Sequence, residues 1–98
     1  MNSQLANMNG AVMSFGAMFG ITVSRDDEQG FTCWQIRPTD LICITIIDQG
    51  DYNGRPEWDV QLFNESAMLA QYKGFHDYIQ VMRTVGTLAL PQLPSEVG

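Results

Sequence analysis

The side chains in this sequence that could do chemistry are eleven carboxylates, one histidine and two cysteines. Asp26, Asp27 and Glu28 stand side by side. Neighbouring carboxyls can share acid–base work when an apolar pocket keeps one of them protonated. These three fall in a polar turn, so solvated charge is expected of them. His76 has no nucleophile at a recognisable spacing, no GxSxG turn accompanies it, and a surface position is expected. Cys33 and Cys43 lack the CxxC spacing of a redox or zinc site. A two-residue hairpin between them would put the sulfurs on opposite faces of a sheet, and a three-residue loop would leave them diagonal. Buried thiols are the expectation, in keeping with a reducing compartment. The stretch from Asp48 to Gly54 has the look of a calcium loop. With Gly54 in the glycine position, however, the first and last ligand positions fall on Gln49 and Val60. No P-loop or dinucleotide fingerprint is present. The sequence therefore points away from an enzyme, and to no metal and no cofactor.

What remains is charge. The 98 residues carry a formal net charge of -6. Residues 1–24 carry no charged side chain, and the first is Arg25. From Asp26 to Glu65 nine acids face only Arg37 and Arg55. Such a balance opposes binding to a nucleic-acid backbone, which needs clustered Lys and Arg. It suits a protein partner with a basic surface, toward which it would speed association. The partner-binding residues expected on this ground are Asp26, Asp27, Glu28, Asp48, Asp51, Glu57 and Asp59, with Tyr52 as an aromatic anchor. The most concrete version is an inhibitor that occupies the nucleic-acid-binding surface of a target, with carboxylates in place of phosphates. Phage-encoded antagonists of host defence share this size and charge. An alternative is a homodimeric chaperone or adaptor that holds an apolar client segment, its acidity serving solubility. A small enzyme of unknown reaction is the third class.

These side chains need elements to hold them. Leu5, Met8, Val12, Phe15 and Phe19 are spaced by three and four, one face of a helix that Asn2 or Ser3 could cap and Gly20 end. Gly16 inside it invites the close approach of another backbone. Ile21–Arg25, Phe31–Arg37, Leu41–Asp48 and Glu57–Phe63 read as strands, and 49–56 as a loop with an Asn53-Gly54 turn. The third strand is apolar on both faces, which predicts a central position covered on both sides. Trp34 and Trp58 are expected in the core. Asn64 or Ser66 then opens a long helix through Met68, Tyr72, Phe75, Ile79, Met82 and Val85, with His76 on its wet side.

The fold class expected is α+β: an N-terminal helix, a three- to four-stranded antiparallel meander and a long C-terminal helix packed on the sheet. One domain over 1–90 with a loose tail over 91–98 is expected. Ala11–Val23 is apolar, but no basic residue precedes it and it is too short to span a bilayer. A cytoplasmic protein with no membrane association is the expectation. The low charged fraction of 16% also leaves room for an apolar interface, to a partner or to a second copy.

Overall fold

A computed structural model describes residues 3–27, 31–52 and 54–93. Two helices lie on one face of a five-stranded antiparallel sheet, whose strands follow one another in sequence order. The elements are α1 (Ser3–Phe19), β1 (Thr22–Asp26), β2 (Cys33–Arg37), β3 (Ile42–Tyr52), β4 (Arg55–Asn64), β5 (Ala67–Phe75) and α2 (Tyr78–Ala89). A 3-10 turn over Leu90–Gln92 extends α2, and Leu93 packs against the core.

The first helix follows its periodicity. Met8 and Val12 are fully buried, and Leu5 and Phe15 pack beside them. Asn2 lies outside the described residues, and Ser3 is already helical. The helix stops at Gly20, whose φ of 65° is one that a glycine adopts without steric cost. The amide of Ile21 then donates to the Gly16 carbonyl at 2.9 Å, the long closing bond of a Schellman end. Gly16 is where the returning chain crosses. A Cβ there would stand 2.6 Å from Val23 Cγ2 and 2.9 Å from the Ile21 carbonyl oxygen. The close approach suggested by the sequence is therefore real, and it is made by β1.

Alternation on the strands sends Trp34, Ile36, Ile44, Ile46, Trp58 and Val60 toward the helices, where all six are fully buried. Both tryptophans are thus core residues, as expected. The Trp34 indole donates to Asn9 Oδ1 of α1 at 3.0 Å. β3 is central, but the helices cover one of its faces only. On the other face a row of uncharged polar side chains crosses all five strands: Ser24, Gln35, Thr45, Gln61 and Gln71. Apolar residues on both sides of β3 suggest a second cover, which no helix among the described residues supplies. Cys43 is buried and Ile47 half-buried there, between the neighbouring strands β2 and β4.

The C-terminal half departs most from expectation. Residues 67–75 form a fifth strand, and the helix begins only after Asp77. Met68, Tyr72 and Phe75 have helical spacing, but β4 offers an unpaired row of backbone groups that β5 satisfies. Glu65 and Ser66 make the connection, Glu65 at a φ of 55°. Gly74, at a φ of 80°, sits in an irregularity that no helix would accept. The expected loop over 49–56 is likewise mostly strand. β3 runs on through Tyr52 and β4 starts at Arg55, so the hairpin is long; of the expected Asn53-Gly54 turn, Gly54 is in a turn and Asn53 lies outside the described residues.

Candidate functional site

Strand direction decides where the acids gather. β1, β3 and β5 run the same way and finish at one end of the sheet, where Asp26 stands level with Ile47 and Asp59 through Cys33. The β3–β4 hairpin projects further in that direction and carries Asp48, Asp51 and Glu57. Asp77 caps α2 there, its carboxylate accepting from the Ile79 amide at 2.9 Å. Both helices start from this end, since α1 runs down toward β1 and α2 runs down from β5. Carboxylates near helix N-termini are electrostatically favoured. Among the described acids only Asp40 and Glu65 lie at the opposite end, in the two turns that the Glu65–Leu41 backbone bond ties together.

The residues of this end do not all face outward. Asp26 and Asp51 are exposed, and Asp48 and Glu57 are half-buried. Asp48 Oδ1 accepts from the Gly50 amide at 2.8 Å and so shapes the bulge that follows it. Asp27 is committed within the chain. Arg25 Nε lies 3.1 Å from both its oxygens, and the Thr32 hydroxyl donates to Oδ1 at 2.8 Å. The Thr32 hydrogen bond, with the Arg25 guanidinium behind it, holds the Asp27 pKa below its ordinary value. Arg25 also lies over the Trp34 ring at 5.7 Å and donates to Asn9 Oδ1, which anchors the pair to the helix layer. Glu28 lies outside the described residues. Tyr52 is placed by its backbone, opposite Arg55, and its side chain is outside the described ones.

Asp59 corrects the sequence expectation most clearly. It is 7% exposed and cannot meet a partner. Its Oδ2 accepts from Gln49 Nε2 at 3.0 Å and its Oδ1 from the Gly74 amide at 3.2 Å. Gln49 is the extra residue in β3, and Gly74 lies in the irregular stretch of β5. One carboxylate in β4 thus ties the bulges of both neighbouring strands. No pattern in the sequence announces this, because the three residues meet only through strand pairing.

The remaining chemistry-bearing side chains are structural in their settings. His76 is not on the wet face of a helix. It lies in the link between β5 and α2, half-buried, with Nδ1 2.9 Å from the Pro56 carbonyl oxygen. A carbonyl can only accept, so Nδ1 carries the proton. Cys33 and Cys43 share one face of the sheet, opposite Ile47 and Phe63 respectively, and are not joined to each other. No group of three or more metal-ligating residues occurs among the described residues. No described helix is long and apolar enough to cross a membrane. A shallow apolar groove of about 280 Å³ lies between β5 and α2, lined by Tyr72, Arg83, Thr84, Thr87 and Leu88. It contains no carboxylate. No protein-family model, curated protein or solved structure matches the chain.

Proposed function

We propose that this chain is a non-catalytic binding protein that docks its carboxylate-rich end on a basic surface of another protein. The observation that carries the proposal is the gathering of Asp26, Asp48, Asp51 and Glu57 at one end of the sheet by strand direction. Asp26 comes from β1 and the other three from the β3–β4 hairpin, so strand pairing brings the two groups to the same end. Of the bases at that end, Arg25 is taken up by Asp27, which leaves Arg55 and Lys73. A field of this sign raises the rate of encounter with a cationic surface and fixes the orientation of docking. In its finer form the target is a nucleic-acid-binding complex, and the acids stand where phosphates would lie. An antagonist of the kind that phages direct against host defence fits this form by size and charge.

The test begins with capture of the partner from the source cell and continues with association kinetics. The association rate should fall at least tenfold between about 50 and 500 mM salt, because screening shortens the range of the field. Replacing Asp26, Asp48 and Asp51 together by Lys should slow association further at low salt. Binding that ignores both salt and these substitutions would discard the proposal in favour of an apolar-client adaptor.

A further inference from the structure

The sheet has two edges, and they are guarded unequally. β1 is five residues long, carries Arg25 and Asp26, and has α1 packed against it where Gly16 meets Val23. Shortness, charge and a covering helix are the usual protections of an exposed edge. β5 is nine residues long, and no strand lies beyond it among the described residues. Lys73 is its only charge, and Met68, Leu69 and Tyr72 are exposed. Between its two irregularities, Ala70, Gln71 and Tyr72 keep a regular ladder with Leu62, Gln61 and Val60. Alternate residues of such an edge turn their N–H and C=O groups away from the sheet, open to a further strand.

A groove runs beside this ladder. α2 buries Val81, Val85 and Ala89 against the sheet, and its flank at Arg83, Thr84, Thr87 and Leu88 faces Tyr72 across about 280 Å³ of open space. A second hollow continues along the helix past Gly86 to Leu90 and Pro91, and Arg83 borders both. The hydroxyls of Thr84 and Thr87 donate back to the carbonyls of Gln80 and Arg83, so they are already committed. The Arg83 guanidinium has no ion pair or hydrogen bond among the described residues. From Ser66 to Leu93 the only acid is Asp77, which caps the start of α2. In a chain of net charge -6, this flank is therefore locally cationic.

We propose that the edge of β5 and this groove together bind an extended peptide segment of another protein that carries a carboxylate. The segment joins the sheet as a sixth strand, sets an apolar side chain against Tyr72 and Leu88, and brings its carboxylate to Arg83. Each part of the site selects a part of the occupant. Free backbone groups on β5 demand an extended chain, since a helix has already satisfied its own and a lipid tail has none. The space between Tyr72 and Leu88 suits one side chain rather than a helix face. Arg83 takes a carboxylate through paired, charge-assisted hydrogen bonds. A second copy does not fit, because its β5 edge brings Lys73 and no carboxylate. The net charge of -6 also rejects a long acidic tract, so a single carboxylate placed at Arg83 is the expected signature. The site is separate from the acidic end, and it stands whether or not that end docks on a basic surface.

Panning a library of short random peptides against the immobilised full chain tests this. The enriched peptides should share an apolar residue close to an Asp, a Glu or a free C-terminus. Titration with one of them should shift the NMR signals of the Leu69–Lys73 amides and of the Arg83 side chain. Arg83→Glu should weaken binding about tenfold or more, and replacing the peptide's acid by Lys should restore binding to that variant. Arg83 is exposed, so the variant should keep its circular dichroism. Thr87→Trp, which fills the groove from an exposed position, should cause a similar loss by a different route. Methylating alternate amide nitrogens of the peptide should abolish binding in one of the two registers, because those N–H groups serve β5. Failure to enrich any peptide, binding indifferent to Arg83→Glu, or signal shifts confined to other strands would overturn the proposal. So would a dimer that forms through β5 and excludes the peptide.

Discussion

At the end of the sheet where β1, β3 and β5 finish, Asp26, Asp27, Asp48, Asp51, Glu57, Asp59 and Asp77 meet, among the described residues, the basic side chains of Arg25, Arg55 and Lys73. Along α1, seventeen residues carry no charge at all. The two regions touch through a network in which Asn9 accepts from Arg25 and Trp34 while Arg25 holds Asp27. Charge in this molecule is therefore segregated rather than spread. A low charged fraction does not mean a weak field when the few charges share one end. Nor does an uncharged helix mean a buried one. The comparison also separates acids by environment: some face water, while Asp59 is enclosed by its own chain and Asp27 is bound to it.

The largest expected effect tests that separation. Asp59→Ala removes the acceptor of Gln49 and of the Gly74 amide, and should cost about 3 kcal/mol of unfolding free energy in urea titration. Asp51→Ala, on the exposed hairpin, should change stability by less than about 0.5 kcal/mol. Equal effects would erase the distinction between internal and surface acids.

The two sides of α1 come next. Gly16→Ala forces a methyl against the Val23 side chain and the Ile21 carbonyl, and should destabilise by about 2 kcal/mol. Gly10→Ala meets open space and should stabilise the fold by up to about 1 kcal/mol. Thermal unfolding at low concentration reads both, and effects of the same sign would mean that the outer face is not open.

The smallest effect concerns Asp27. Its folded-state pKa lies below the unfolded one because of Thr32 first and Arg25 second. The contribution to stability is thus fully present above the unfolded pKa, near 3.8, and is lost as pH falls through the folded value. The side chain is exposed, so the effect on unfolding is small. Titration of its carboxyl carbon by NMR should show a midpoint below 3.8, and Thr32→Val should move that midpoint upward. A midpoint unmoved by the substitution would return Asp27 to the solvated acids.

Part of this was legible in the chain itself. The 3–4 spacing from Leu5 to Phe19, the stop at Gly20 and the alternation around Trp34, Ile44 and Val60 are local patterns, and they formed the elements they suggest. Residues 67–75 were not legible, because Met68, Tyr72 and Phe75 keep a helical spacing and the strand they form is irregular. The local pattern was overridden by the open edge of β4, which lies outside any local window. Asp48 lies in a strand as expected, whereas the loop expected around Asp51 proved to be strand.

Composition and order along the chain determined how much charge there is, that α1 has none, and that the α+β class holds. Only the tertiary structure decided that Asp26 and Asp51 share an end, that Asp59 is enclosed by Gln49 and Gly74, and that His76 reaches Pro56. The physical reason is range. Periodicity, glycine ends and turns act over a few residues, whereas strand pairing joins groups ten to twenty residues apart, as in Gln49 to Asp59 and Pro56 to His76. Those distant pairings set which side chains meet water and which meet one another.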